Sequence, residues 1–273
     1  MSWEKISYSK LHLLACPYAA FLKYEASIMG PTTPWIARGN AIHTALETNH
    51  APFNLDEAID SFKTEFARII DEEQVSITWP NLKKMESEAI EMLVKYNDKI
   101  TSGIIAPTAL ALEAEFELPF LGTRVVGKID KVERDEHGYV VTDYKTGKTK
   151  PDKWFLRHNL QLTAYAWACQ ELYGEMPYKL IWHHLATDDL FETERDPQDI
   201  GDLQTMIANA LAIKEAGIHH RIFHEQVCGQ CDYAGDDLCG NRELEHEITT
   251  TLESGERMVP RIHIKKPKWS QAL

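Results

Sequence analysis

The stretch GKIDKVERDEHGYVVTDYKTGKTK, residues 127–150, reads as two strands joined by a polar turn. Asp130, Asp143 and Lys145 occupy positions where an ordinary half-buried strand would carry Val or Ile. Side chains two residues apart on a strand point to the same face, so Asp143 and Lys145 project together. The stretch therefore predicts a concentration of charge at one end of a sheet.

The turn determines which residues face each other across this hairpin. If the chain reverses symmetrically about residues 136–137, Asp130 lies directly opposite Asp143, whereas a bulge at Gly138 would shift the register by one residue. Like charges paired across a ladder destabilise it, and burying them costs more. The two carboxylates therefore either lie on a solvent-exposed face or bind a cation.

The apolar neighbours of the two carboxylates favour the cation. Val141 continues the Asp143 face and Val126 continues the Asp130 face, so each strand is polar only at its end. This pattern is typical of a sheet edge that opens into a cleft. Carboxylates select a hard divalent cation, usually Mg²⁺ or Mn²⁺. Lys145 beside such a metal can stabilise phosphoryl charge or help to deprotonate a water molecule.

The order of predicted elements indicates the fold class. Helical patterns cover residues 55–72 and 81–99, strand patterns follow, and a helix, a strand and a last helix at residues 198–216 complete the order. Near the N-terminus, Ser7 or Ser9 caps a helix that Cys16 and Pro17 interrupt. The sequence predicts an α/β fold with a mixed sheet flanked by helices.

Several elements in this order resemble the PD-(D/E)XK nuclease core in its RecB-type exonuclease form. They are Asp130, the pair Asp143-x-Lys145, the segment GNAIH ending at His43, and the segment QLTAY running from Gln161 to Tyr165. The resemblance covers roughly residues 7–240, although residues 50–108 match only as generic helices. It implies a restriction-endonuclease-like core in a single nuclease domain over residues 1–273.

The resemblance also implies the roles of individual residues. The metal ligands would be His43, Asp130, Asp143 and the backbone carbonyl of Tyr144, and the catalytic residues would be Lys145, Gln161 and Tyr165. An acid from the preceding strand would join them, and both Glu113 and Glu115 stay open for this role. Gly39 lies one turn from His43 on a helix, which predicts a close approach there by a metal or a strand backbone.

Four of the five cysteines follow a metal-binding pattern. Cys228, Cys231 and Cys239 lie close together after the predicted core, and Cys16 lies before it. The residues alone leave zinc and iron open. The resemblance favours a 4Fe-4S cluster over zinc, because AddB-type helicase-nuclease subunits and CRISPR adaptation nucleases use one cysteine before the nuclease core and three after it. Cys169 lies in an apolar helical stretch and is predicted to be a buried thiol.

These inferences divide the predicted domain into segments. Residues 1–30 and 220–245 would join at the cluster, residues 50–108 form a helical region, residues 109–218 form the catalytic core, and residues 246–273 form a tail. A basic run inside the core is interleaved with aromatic residues and is predicted to bind DNA; it consists of Lys148, Lys150, Lys153 and Arg157.

Composition limits the compartment and the partners. The formal net charge is −13, which argues against a protein that coats nucleic acid non-specifically. No stretch is apolar enough for a membrane span, and no signal pattern begins the chain, so we expect a cytoplasmic protein without a membrane partner.

Taken with the resemblance, the motifs predict a metal-dependent DNA nuclease, and an exonuclease in particular. It would hydrolyse phosphodiester bonds of a DNA strand with a free end during recombination, repair or other DNA processing, with a helicase, recombinase or integrase as a partner. The alternatives are a CRISPR-adaptation-type nuclease that trims DNA for an integrase and a non-catalytic DNA-binding subunit of the same fold.

Overall fold

A computed structural model of the chain describes residues 3–30, 32–49, 52–222, 224, 228, 231–234 and 239–240. The chain divides into two compact units. One comprises Met1–Pro31, Pro119–Val125 and Thr205–Leu273, and the other comprises Thr32–Leu118 and Val126–Gln204. The predicted tail, residues 246–273, lies outside the described residues, and the single-domain assignment stays a prediction.

Helices and strands alternate along the described chain. The strands are β1 (Lys5–Ser7), β2 (Ala111–Phe120), β3 (Thr123–Asp135), β4 (Gly138–Lys145), β5 (Lys179–His184) and β6 (Asp189–Thr193). The helices are α1 (Tyr8–Leu13), α2 (Pro17–Tyr24), α3 (Pro34–Thr48), α4 (Leu55–Glu72), α5 (Trp79–Thr101), α6 (Lys153–Arg157), α7 (Leu160–Tyr173) and α8 (Pro197–Glu215). Among the described residues, no helix has the length and apolar character to cross a membrane.

The strands form one mixed sheet. Its order is β1-β3-β4-β5-β6, and β2 pairs with β3 outside this path. Strand β4 is antiparallel to β3 and parallel to β5, and β5 is antiparallel to β6. The predicted α/β fold with a mixed sheet flanked by helices is therefore confirmed.

The β3–β4 hairpin has the predicted register. Its pairs run from Lys131↔Thr142 to Asp135↔Gly138, so residues 136–137 form the turn. Asp135 Oδ1 accepts a hydrogen bond of 2.8 Å from the backbone N–H of His137, which closes the turn. Asp130 and Asp143 follow directly beyond the Lys131↔Thr142 pair, at the end of the hairpin away from the turn.

Helices α3, α4 and α5 enclose an apolar core in the second unit. The residues predicted to form the buried face of α5, namely Met85, Ala89, Met92, Leu93 and Tyr96, are all buried. Tyr144 of β4 joins this core, and its hydroxyl lies 2.9 Å from that of Tyr96. Since side chains alternate along a strand, Asp143 and Lys145 project from the opposite face of β4. The core thus fixes the strand that carries the charged residues.

The first unit contains a smaller core around α2. Ser7 caps α1 by accepting a hydrogen bond of 3.2 Å from Lys10 N, and α2 begins at Pro17 with Cys16 at its N-cap, as the sequence indicated. Cys16 is buried in a cluster with Tyr18 and Leu22. Tyr233 belongs to the same cluster and donates a hydrogen bond of 2.8 Å to the carbonyl of Ile28. This core therefore joins segments that are distant in sequence.

Candidate functional site

Three potential metal ligands meet at one point in the second unit. The ligand atoms of His43, Glu113 and Asp130 all lie within 4.8 Å of one another, and this is the one such group of His, Cys, Asp or Glu among the described residues. His43 Nδ1 lies 3.6 Å from Glu113 Oε1 and 3.5 Å from Asp130 Oδ1. Helix α3 and strands β2 and β3 each supply one member of the group.

The backbone of β2 selects Glu113 over Glu115. Glu113 and Glu115 are two residues apart, so on a regular strand their side chains would lie on the same face. Glu113 has a φ of 44°, a left-handed conformation that is unfavourable for a residue with a Cβ, and it breaks the alternation. The Glu115 side chain is 76% exposed and pairs with Lys128 at 3.2 Å, whereas that of Glu113 is 16% exposed. The structure therefore places Glu113 in the group.

The two aspartates of the hairpin have different partners. Asp130 Oδ1 faces His43, and Asp130 Oδ2 accepts a hydrogen bond of 2.6 Å from the backbone N–H of Tyr144. Asp143 is fully buried, and its Oδ1 accepts a hydrogen bond of 2.9 Å from Lys145 Nζ. Asp143 Oδ2 lies 2.7 Å from the same Nζ but lacks hydrogen-bond geometry with any partner in the described structure. Lys145 thus supplies the positive charge that faces both oxygens of this buried carboxylate.

A chain of hydrogen bonds orients Lys145. Its Nζ donates 2.9 Å bonds to Asp143 Oδ1 and to Gln161 Oε1. Gln161 Nε2 donates in turn to the Tyr165 hydroxyl at 2.8 Å, so the amide is held with its oxygen towards the lysine. Gln161 and Tyr165 lie one turn apart on α7, as predicted. The ammonium also lies 5.0 Å from the ring centre of Trp182, which pairs with Asp143 across β4 and β5.

The pKa values report concentrated negative charge. Burial alone would lower the pKa of His43, but the carboxylates of Asp130, Glu113 and Asp143 outweigh it and raise the pKa to about 10. Burial raises the pKa of Asp143 to about 6, against the opposing effect of Lys145. A divalent cation would neutralise this charge. The carboxylate oxygens and the imidazole of the His43–Glu113–Asp130 group form a donor set that fits Mg²⁺ or Mn²⁺.

Gly39 lets the end of β4 approach α3. A Cβ at this position would lie 3.1 Å from Thr146 Oγ1, a tighter contact than most side chains make. Thr146 directly follows Lys145. The space predicted at Gly39 is therefore occupied by Thr146, which follows β4, and a side chain here would press on that segment.

The basic run is partly engaged in ion pairs. Lys150 pairs with Asp189 at 2.6 Å, and Arg157 pairs with Asp199 at 2.6 Å. Lys148 and Lys153 are exposed. The run therefore offers two lysines directly to solvent, and its role in DNA binding stays a prediction.

The sequence patterns did not indicate Trp35 or Arg38. Arg38 is only 2% exposed, and it donates to Glu88 at 2.7 Å and to the carbonyl of Thr146 at 2.8 Å. Trp35 is 51% exposed, and both the Arg38 guanidinium and Lys148 Nζ lie 5.1 Å from its ring centre. Their spacing of three residues on a helix could have indicated that they contact each other. Their contacts with Thr146 and Lys148 join segments that are distant in sequence, so no local pattern indicated them.

The four cysteines of the predicted cluster all belong to the first unit. Cys231 and Cys239 pack against the core that contains Cys16. Burial, with smaller effects from neighbouring thiols, raises the pKa of Cys231 and of Cys239. Among the described residues, no three of these sulfur atoms lie within 4.8 Å of one another, so the geometry does not by itself support a cluster. Cys169 is fully buried, as predicted, and burial raises its pKa to about 12.

Comparison with known proteins identifies a family. A family model described as "PD-(D/E)XK nuclease superfamily" matches residues 5–239. No curated protein matches the chain. A solved structure described as "Crystal structure of SSO0001" matches with 15% identity and a TM-score of 0.34, over 81% of this chain and 91% of that chain. A likeness at this level adds nothing to the assignment of the site.

Proposed function

The chain belongs to the PD-(D/E)XK nuclease superfamily, and from this premise we propose that it is a Mg²⁺- or Mn²⁺-dependent deoxyribonuclease that hydrolyses phosphodiester bonds. One observation carries the proposal. The catalytic unit contains both the potential metal ligands His43, Glu113 and Asp130 and a lysine, Lys145, that is hydrogen-bonded to Asp143 and Gln161. A carboxylate group that can hold a divalent cation, with an oriented ammonium beside it, can support phosphodiester hydrolysis.

The proposed metal site would take its ligands from the His43–Glu113–Asp130 group, with Asp143 and the carbonyl of Tyr144 as further ligands. A bound Mg²⁺ or Mn²⁺ supplies Lewis-acid chemistry, which neutralises phosphate charge and activates water. The hydrogen bond from Tyr144 N–H occupies Asp130 Oδ2 and leaves Oδ1 directed at the group. The backbone of β4 thus fixes the orientation of the carboxylate before metal or substrate arrives.

Lys145 would stabilise the negative charge that develops on the phosphate. Gln161 and Asp143 each accept a hydrogen bond from Lys145, so the ammonium is held in place within the site. Tyr165 is a positioning residue, because it fixes the Gln161 amide. Burial, together with Asp143 and Asp130, keeps the pKa of Tyr165 well above its usual value, so its hydroxyl stays neutral.

We extend the proposal to exonuclease action in recombination, repair or related DNA processing. The test is digestion of end-labelled linear DNA and of closed circular DNA with Mg²⁺ or Mn²⁺, with EDTA as the control. We expect labelled ends to be released from linear DNA, circular DNA to persist, and EDTA to stop the reaction. Cleavage of circular DNA at the same rate as linear DNA would still support a nuclease, but it would show that the enzyme does not require a DNA end.

We also propose that Cys16, Cys228, Cys231 and Cys239 bind a 4Fe-4S cluster. The shared apolar core of Cys16, Cys231 and Cys239 supports this proposal. Around a single zinc ion, with Zn–S bonds of about 2.3 Å, four thiolates lie within about 4 Å of one another. In a 4Fe-4S cluster each thiolate binds a different iron at a corner of the cube, so the sulfur atoms lie farther apart. The two metal sites therefore differ in the spacing of thiolates that they require.

A further inference from the structure

The exposed face of Trp35 is a second candidate binding surface in the catalytic unit. Tryptophans Trp3, Trp167 and Trp182 are at most 8% exposed, as is usual for so large an apolar side chain. Trp35 is 51% exposed although it lies in the first turn of α3, where neighbouring residues could have covered it. Trp79 and Trp154 are also exposed, at 67% and 72%, so exposure alone does not distinguish Trp35; the cation that a distant segment brings to its ring does.

Two cations, one buried and one exposed, border the Trp35 ring. The Arg38 guanidinium is buried and fixed by Glu88 and the Thr146 carbonyl, and its Nε has no hydrogen-bond partner in the described structure. Lys148 is exposed, and its Nζ is the same 5.1 Å from the ring centre as the guanidinium carbon of Arg38. An exposed aromatic ring bordered by positive charge fits a ligand that has both a flat π-face and an anionic group.

The surface is connected directly to the catalytic strand. Lys145, Thr146 and Lys148 belong to one continuous segment, and Thr146 contacts both Arg38 and the position of Gly39. Trp35 and His43 lie on one side of α3, eight residues or about 12 Å apart along its axis. That distance corresponds to a few nucleotides, at about 3.4 Å for each stacked nucleotide of a strand.

We propose that Trp35 is a stacking platform for a base of an unpaired DNA strand, with Lys148 contacting a neighbouring phosphate. The proposal rests on the proposed nuclease function and specifies its substrate as a strand that is unpaired within a few nucleotides of the scissile bond. Inside a duplex both faces of each base are covered by neighbouring base pairs, and a terminal pair exposes one face only at the very end. Within a strand, therefore, only an unpaired base offers a face to the indole. The fixed Arg38 holds the ring in place from within the protein.

The test measures binding without cleavage. Fluorescence anisotropy with EDTA would report the affinity of wild type, Trp35→Ala, Trp35→Phe and Lys148→Gln for a labelled single strand and for a blunt duplex. We expect Trp35→Ala to weaken single-strand binding by about 5- to 150-fold, the value of one base–aromatic stack. Trp35→Phe should retain most of the affinity, and duplex binding should change little. Lys148→Gln should reduce the salt dependence of single-strand binding.

Trp79 provides a matched control. It is 67% exposed, lies in the first turn of α5 and has Lys83 Nζ 4.7 Å from its ring centre, but that lysine belongs to the same helix. Trp79→Ala should bind both DNAs as wild type does. Three results would each contradict the proposal that Trp35 stacks on a base. Trp35→Ala and Trp79→Ala could lose the same affinity, Trp35→Ala could lose the same affinity for single strand and duplex, or Trp35→Ala could lose none. Because EDTA prevents hydrolysis, failure of the proposed enzyme activity would show separately, in the digestion assay.

Discussion

Lys145→Ala should lower the rate of metal-dependent DNA hydrolysis by about 10²- to 10³-fold, the usual effect of removing one oriented group that stabilises transition-state charge. The lysine donates hydrogen bonds to Asp143 and Gln161 within the site, so the variant loses a positive charge that these residues hold in place. Single-turnover cleavage at saturating Mn²⁺ is the measurement. Affinity for DNA should change much less than the rate.

Lys179→Ala is the control for charge removal. Lys179 lies on β5 and pairs with Glu192 at 3.2 Å, away from the hydrogen-bond chain of Lys145. This variant should cut DNA as wild type does. Since Lys145→Ala also leaves the buried Asp143 without its cationic partner, its unfolding should be followed by circular dichroism. A folded Lys145→Ala that hydrolyses DNA at nearly the wild-type rate would show that the lysine is not catalytic.

Cys16→Ala should give protein that has lost most of its iron and unfolds at a lower temperature. Cys16 precedes the catalytic unit in the chain, whereas Cys228, Cys231 and Cys239 follow it. A cluster bound by all four would close a very long loop, and by analogy with a native disulfide its loss should cost about 2–5 kcal/mol of unfolding free energy. Iron and sulfide analysis of anaerobically purified protein, with thermal unfolding, would test this.

Cys169→Ala is the matched control for the cluster. This thiol is fully buried on α7 and is not a member of the proposed set, so its loss should leave the iron content unchanged and cost only a packing term of about 1 kcal/mol. Wild type should be brown and contain about four iron atoms per chain. Colourless protein that contains one zinc ion per chain would show that the four cysteines bind zinc and not an iron–sulfur cluster. Full iron content in Cys16→Ala would exclude Cys16 as a ligand.

The sequence predicted the parts of the site that depend on local periodicity. The two-residue turn determined the hairpin register, and strand alternation placed Asp143 and Lys145 together. Helical spacing placed Gln161 and Tyr165 one turn apart, within hydrogen-bonding distance of each other. In each case the relevant residues are close in sequence, so their relative positions follow from regular backbone geometry.

The remaining parts depend on irregular backbone or on contacts between distant segments. Alternation could not separate Glu113 from Glu115, because the positive φ of Glu113 is a local exception to regular strand geometry. Nothing in the sequence linked Trp35 to Lys148, since the contact exists only where the end of β4 passes α3. Charge pairing also had no local signal, so the partners of Lys150 and Arg157 could not be foreseen.

The central claim is that the His43–Glu113–Asp130 group binds the divalent cation on which hydrolysis depends. Titration of Mn²⁺ into wild type and Asp130→Asn, followed by electron paramagnetic resonance of the unbound ion, tests it directly. Asparagine keeps the shape of the side chain but removes the negative charge next to His43. The account predicts saturable Mn²⁺ binding by wild type and at least about tenfold weaker binding by Asp130→Asn, an effect of about 1.4 kcal/mol or more. Equal Mn²⁺ binding by the two proteins would contradict it.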